Sequence, residues 1–272
     1  MTYAFLRFPG FRDKAVTLSY DDGVPADERL IEILSANGIK GTFNLNSSRL
    51  KDIPWAQKTY LDTGNEIAVH GVRHLPLAEV ASPNAIADVI NDRLALEAAF
   101  GVLVDGMAYA DASYDLQVTK LLKACGIVYA RTTDATHKFD LPENWLTLHP
   151  TCHHNDPALM ELAKQFVETE PHWHYLVNTP KMFYLWGHAY EFNDNNNWHV
   201  IEEFASYIGN REDIWYATNG EIYQYVKAAN SLVYSAAGDR VYNPTVTDIY
   251  LKYFGVEQMV PAGQTVELKR GW

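Results

Sequence analysis

A chain of 272 residues with 47% hydrophobic and 21% charged residues has the composition of a folded globular protein, which excludes a disordered one. At this length about three quarters of the unfolded surface is buried on folding, so one core suffices without covalent staples. The 22 Lys and Arg against 34 Asp and Glu leave a net charge of −12, which argues against nucleic acid as a partner, and two cysteines, Cys125 and Cys152, are too few for a disulfide scaffold or a four-thiolate zinc site. The first residues show no basic stretch leading into an apolar core, and no run of about 18 apolar residues occurs. The expectation is a cytoplasmic chain with no membrane partner.

In chain order, AVTLSY at 15–20 reads as a strand, the polar turn DDGVP follows, and 26–37 carries Leu30, Ile33 and Leu34 at helical spacing. Pro25 suits the helix start, Asp27 and Glu28 complement its first turn, and Gly38 supplies a left-handed residue after its end. Strands are predicted at 41–45 and 66–69. A helix at 83–100 follows behind Ser82 as its cap, with Ile86, Val89, Ile90 and Leu94 facing the core and Gly101 closing it. A strand near 106–109, a helix at 116–125 ended by Gly126 and a strand at 127–131 continue the alternation. Beyond them, 145–148 and 181–186 read as strands, 157–168 and 198–208 as helices, 214–217 as a strand and 219–230 as a helix. Such repeated β-then-α steps predict an α/β fold with a parallel sheet, and we favour a closed barrel over a doubly wound sheet. From Ser231 the pattern changes to short alternating runs, SLVYS, RVYN and TVELK, between Gly and Pro turns. This predicts a 1–230 β/α barrel domain and a small β-rich C-terminal extension over 231–272.

Residues just past the C-terminal ends of parallel strands share one face, where active sites lie. That filter selects Asp21 and Asp22, His70, Tyr109 to Asp111, Arg131, His149 and His188. The adjacent aspartates either cap the following helix or divide two tasks, one binding a metal while the other accepts a proton from water. His70 and His74 in HGVRH are four apart, which suits two ligands on one face if the segment turns helical. With 10 histidines such a pair arises readily by chance, and His149 and His153 in HPTCHH form another. The first pair is favoured because its strand end should face that of DDG, whereas Pro150 disfavours a helical second pair. His153, with His154 beside it, is read as a wall or substrate contact. Asp22, His70 and His74 supply one oxygen and two nitrogens, the set that leaves a fourth zinc position open for water, and a nearby cation keeps Asp21 ionised as a base.

The order SYDDG, HGVRH and then LWGH after an apolar strand resembles the polysaccharide deacetylases, the NodB-homology or family 4 carbohydrate esterases, over about residues 15–225. The resemblance implies a distorted (β/α)7-type barrel. It implies a metal-dependent carbohydrate deacetylase that removes N- or O-acetyl groups from an acetylated oligosaccharide or small acylated substrate by attack of a metal-bound water. The metal implied is zinc, with cobalt, nickel or manganese as alternatives. Carried over by position, Asp21 becomes the general base, Asp22, His70 and His74 the metal ligands, His188 the general acid, and Leu185 and Trp186 part of the acyl pocket.

The family's third motif, Arg-x-Pro-Tyr, falls on Ala108, Tyr109, Ala110 and Asp111, so both the arginine and the final aromatic are missing. The amide of Asp111 still offers an oxyanion donor. Tyr109 and the Asp111 carboxylate are read as substrate contacts, and Arg131 as the replacement charge partner of Asp21. The fourth motif has no clear counterpart in RTTDATHKFDLPENW, and HWHY at 172–175 and YEFNDNNNW at 190–198 are rim-loop candidates. Two other functions fit the same residues: an allantoinase-like hydrolase of cyclic amides, and a saccharide-binding homologue whose catalysis was lost with the arginine. A glycosidase using Asp111 and Glu191 leaves HGVRH unexplained.

Overall fold

The computed structural model describes residues 4–169 and 179–271, so the HWHY candidate lies outside the described residues. In chain order the strands and α-helices are β1 (Ala4–Arg7), β2 (Lys14–Asp22), α1 (Asp27–Ala36), β3 (Thr42–Leu45), α2 (Ala56–Asp62), β4 (Glu66–Val69), α3 (Ser82–Phe100), β5 (Gly106–Ala108), α4 (Leu116–Ala124), β6 (Tyr129–Arg131), β7 (Cys152–His153), α5 (Leu159–Glu168), β8 (Lys181–Gly187), α6 (Tyr190–Asp194), α7 (His199–Ile208), β9 (Ile214–Tyr216) and α8 (Asn219–Asn230). Five short strands follow: β10 (Val233–Tyr234), β11 (Arg240–Tyr242), β12 (Ile249–Tyr253), β13 (Val256–Val260) and β14 (Thr265–Glu267).

The main sheet is parallel, in the order β6-β5-β4-β3-β2-β8-β7. Its centre is β2, buried along all nine residues. One edge of β2 pairs with β8 from Lys14 to Tyr20; the other is shared, β9 taking Lys14 to Val16 and β3 taking Ser19 to Asp22. The segment leading into β7 closes the ring. Leu148 N–H donates to Ala130 O and Thr132 N–H to Leu148 O on the β6 side, while Thr151 N–H donates to Tyr184 O on the β8 side. The sheet therefore curls into the distorted barrel that the motif order implied.

Alternation along β2 divides its side chains between two environments. Val16, Leu18 and Tyr20 enter the apolar cluster with Leu30, Leu34, Phe43 and Phe183. Thr17, Ser19 and Asp21 take the opposite face, where Thr17 Oγ1 donates to Asn219 Oδ1 at 2.9 Å and Ser19 and Tyr184 hydroxyls lie 2.9 Å apart. Buried polar groups are tolerated there because each finds a partner.

Three expectations are corrected. The helix α3 starts at Ser82, whose side chain makes no cap bond and whose Oγ instead accepts from Gln117 Nε2. Its inner face is not the apolar stripe: Ile86 and Leu94 are exposed, while Ala85, Asp88, Val89, Asp92, Leu96 and Phe100 are buried. The helix is rotated because the two aspartates accept backbone amides of Ser47, His70, Gly71 and Arg73, which no apolar side chain can do. Residues 145–147 form a 3₁₀ turn rather than a strand, since Asn144 Oδ1 accepts the Leu146 amide and diverts the backbone from the sheet.

In the C-terminal region, β10, β11 and β14 form one antiparallel sheet built from the three alternating runs. A second sheet, β1-β12-β13, was not foreseen, and it draws the N-terminal strand into this region, with Ala4 opposite Tyr253 and Arg7 opposite Tyr250. Phe8, Ile249, Leu251, Tyr253 and Val260 pack there with Ile222 and Tyr225 of α8. The Tyr225 hydroxyl donates to Arg7 O at 2.6 Å and accepts from Tyr250 N–H at 3.0 Å, fastening both termini to α8. Among the described residues no helix is long and apolar enough to cross a membrane.

Candidate metal centre and active site

Asp22 ends β2 with φ +81°, and His70 follows β4. The HGVRH segment is not helical. Gly71 and His74 adopt φ +84° and +54°, and this turn, rather than a helical face, brings the two rings to 4.7 Å between centroids. The backbone is held in that course from outside. Asp92 accepts from His70 N–H at 3.1 Å, Gly71 N–H at 2.9 Å and Ser47 N–H at 2.7 Å, and Asp88 accepts from Arg73 N–H at 3.0 Å. Gly71 is required twice over, by its φ and because a Cβ there would lie 2.3 Å from Asp88 Oδ2. Burial pushes the Asp92 carboxyl up to about 6 in spite of these bonds.

Asp22 Oδ1 lies 3.7 Å from His70 Nε2 and 3.8 Å from His74 Nε2. The three residues can each offer one ligand atom within 4.8 Å of the others. His70 Nδ1 is 3.0 Å from Ala108 O, and a carbonyl only accepts, so the neutral ring carries its proton on Nδ1 and turns a lone pair at Nε2 toward Asp22. Burial disfavours the imidazolium of His70 and outweighs the attraction of Asp21 and Asp22. Asp22 Oδ1 and His70 Nε2 are both buried without a hydrogen-bond partner, a costly state that a divalent cation would relieve. One carboxylate and two imidazoles fit zinc or a similar ion. Asp111 Oδ2 is 3.6 Å from His74 Nδ1, the place of an outer partner that orients a ligand.

Asp21 projects beside this group, fully buried. Its Oδ2 is hydrogen-bonded by Arg131 Nη2, its Oδ1 accepts from Asn44 Nδ2 at 2.8 Å, and His70 Nε2 and His188 Nε2 approach Oδ2 to 3.7 and 4.0 Å. Burial raises its pKa, but the charges of Arg131, His70 and His188 and the Asn44 bond outweigh that and hold it below the usual carboxylate range. The guanidinium of Arg131 also lies 4.2 Å over the Trp186 ring.

His188, just after β8, has Nδ1 3.0 Å from Glu191 Oε1. Burial opposes its protonation, but the Glu191 bond and the Asp21 charge outweigh burial and raise its pKa. His153 packs edge-on against Trp186, with ring centroids 4.5 Å apart; burial first, then neighbouring His154, lowers its pKa to about 4. Leu185, expected in the acyl pocket, is fully buried in the apolar core instead, because it neighbours Trp186 on β8 and alternation sends the two side chains to opposite faces. Tyr109 does not offer its ring to a ligand: it is 1% exposed, stacks on Tyr114 and donates its hydroxyl to Leu146 O. His149 is engaged elsewhere, 2.6 Å from Thr132 Oγ1. Asn44 and Asp92 were missed. The strand-end filter reaches Asn44, since it pairs with Asp21 in the β2–β3 register, but Asp92 carries no such signal.

Residues 9–130 match the family model of the polysaccharide deacetylases. A Bacillus subtilis protein assigned as a polysaccharide deacetylase, YheN, is 36% identical over 63 residues, which are 23% of this chain and 22% of that one. The match thus spans about a fifth of that curated relative. Among solved structures, a Mycobacterium smegmatis protein assigned to the same activity superposes with TM-score 0.60 at 18% identity, covering 85% of this chain and 96% of that one. The allantoinase PuuE superposes with TM-score 0.59 at 14% identity, covering 80% and 91%. Both likenesses show the fold, a curled parallel sheet wrapped by helices. The resemblance carried by SYDDG and HGVRH is borne out: over residues 9–130 this chain bears the polysaccharide deacetylase pattern.

Proposed function

We propose that this protein is a metal-dependent hydrolase that removes N- or O-acetyl groups from an acetylated saccharide. The observation that supports this reading best is the convergence of two buried, unpartnered ligand atoms, Asp22 Oδ1 and His70 Nε2, with His74 next to a buried carboxylate, Asp21, that is fixed by Arg131. In this reading Asp22, His70 and His74 hold the ion, zinc in the first place and cobalt, nickel or manganese otherwise. A divalent cation there supplies Lewis acidity toward water and toward the scissile carbonyl. Asp21, kept ionised by Arg131 and Asn44, accepts the proton of the attacking water. His188 presents Nε2 on the same side and delivers a proton to the departing amine or alkoxide. The amide of Asp111 helps hold the developing oxyanion, and Trp186 and His153 wall the acyl group.

The test is zinc content measured together with turnover of acetylated amino-sugar oligomers and of a generic acetyl ester. Hydrolysis that disappears on chelation and returns with zinc supports the reading. Turnover of cyclic ureides with none of acetylated sugars replaces it with the cyclic-amide hydrolase, and bound zinc without hydrolysis replaces it with a saccharide-binding protein. We further propose that residues 1–230 hold the catalytic unit and that 231–272, onto which β1 pairs, form a supporting extension.

A further inference from the structure

Glu191 stands at the meeting point of four side chains. Its Oε1 is 3.0 Å from His188 Nδ1, and its Oε2 accepts from Asn155 Nδ2 at 2.9 Å and lies 2.9 Å from His154 Nε2 and 3.3 Å from His153 Nε2. Proton directions follow from the partners. The Asn155 N–H donates to His153 Nδ1 at 3.1 Å, so neutral His153 carries its own proton on Nε2 and points it at Glu191. A carboxylate only accepts, so His188 must carry a proton on Nδ1.

We propose that Glu191 is the positioning residue for His188, locking its ring with Nδ1 protonated and leaving Nε2 turned toward Asp21 and the bound substrate. This rests on the reading of His188 as the proton donor. Glu191 lies in the first turn of α6, three residues after His188, so the chain folds its carboxylate back onto the ring it orients. The carboxylate is well anchored: burial favours its protonation, but the bonds of His154 and His188 and the charges of His153 and His154 outweigh that and hold it ionised. The charged groups facing His188 are Glu191 at Nδ1 and Asp21 and Asp22 on the opposite side, with His153 flanking and the Trp186 and Tyr190 rings as walls.

His153, His188 and Glu191 also lie close enough to share an ion. The Asn155 amide argues against that, because it occupies the only lone pair of neutral His153 and leaves Nε2 a donor.

The experiment uses the zinc-loaded full chain with ¹⁵N-labelled histidine, comparing wild type, Glu191→Gln, Glu191→Ala and His188→Ala, with circular dichroism as the folding control. We expect wild-type His188 to be the imidazolium below its pKa, the form that can give up a proton from Nε2, and to keep its remaining proton on Nδ1 once neutral. In Glu191→Gln it should titrate at lower pH, with kcat down about tenfold or more and KM little changed. In Glu191→Ala, if folded, the tautomers should mix. Unchanged His188 titration and kcat in Glu191→Gln overturn the proposal. A zinc equivalent retained by His74→Ala and lost on adding Glu191→Gln overturns it in favour of a second metal site. A shifted titration in Glu191→Gln with full turnover in His188→Ala upholds the Glu191–His188 coupling and overturns only the proton-donor reading.

Discussion

Arg131, on β6, is the register partner of Ala108, on β5, and its guanidinium reaches across to bond the buried Asp21 carboxylate while lying over Trp186. Ala108 is where the third motif of the deacetylases carries arginine. The missing charge is thus supplied from the neighbouring strand, one position across the sheet, and the site keeps a cation against Asp21.

Removing that cation should damage both stability and turnover. Arg131→Met leaves Asp21 buried and unpaired, a loss of about 3–5 kcal/mol in comparable buried pairs. Urea denaturation at pH 7 should show a drop of that order, partly recovered in Arg131→Met/Asp21→Asn, where no charge is stranded. A pair of additive single effects would mean that the two residues are not coupled.

The ligand and base roles separate by metal analysis. His74→Ala should lose zinc and activity together. Asp21→Asn should retain zinc while kcat falls about 10²- to 10⁴-fold, the usual worth of a positioned proton acceptor. Wild-type turnover in Asp21→Asn would refute the base assignment.

Asp111 offers a sharper division. If its carboxylate orients His74 through Nδ1, Asp111→Ala should weaken zinc binding about tenfold, measured by competition with a chelating dye. If it contacts only substrate, KM changes and zinc affinity does not.

Stability should depend on pH through Asp27. This side chain is fully buried, its Oδ2 accepting from Tyr60 hydroxyl at 2.6 Å and Val24 N–H at 3.2 Å, and burial outweighs both bonds to push its carboxyl up to about 7. An unfolded aspartate ionises near pH ~4, so between about 4 and 7 the folded chain holds one more proton than the unfolded one. The stabilisation is present in full below the unfolded value and is lost as pH rises through 7. Its ceiling is about 4 kcal/mol at 1.36 kcal/mol per pKa unit. Asp92 acts in the same direction, so the informative measurement is the difference between wild type and Asp27→Asn in denaturant melts at pH 5 and 8. A parallel decline in both proteins would remove Asp27 as the cause.

The strand and helix succession was legible because it is written in local periodicity and punctuation. Gly38, Gly101 and Gly126 take the left-handed φ after α1, α3 and α4, and the helix at 219–230 has the expected bounds. Polar residues that pack inward defeated the same reasoning. Asp88 and Asp92 look solvent-facing by pattern yet turn α3 toward the HGVRH loop, because buried amides require acceptors and sequence periodicity registers only apolar faces. The pairing of β1 with β12 was missed for a related reason, since pairing across most of the chain leaves no local trace, whereas the β12–β13 hairpin, turning at Phe254 and Gly255, is local and was legible but not read.

By itself, the sequence determined the parallel β/α architecture, the residues that fall at strand ends and the chemical types available there, since these depend on spacing along the chain. Only the tertiary structure decided that His70 and His74 meet through a left-handed turn rather than a helix, that Tyr109 is covered, and that Glu191 gathers three imidazoles. Those outcomes depend on which side chains can satisfy one another's hydrogen-bonding and charge once water is excluded, and partners distant in sequence are chosen only when the barrel closes.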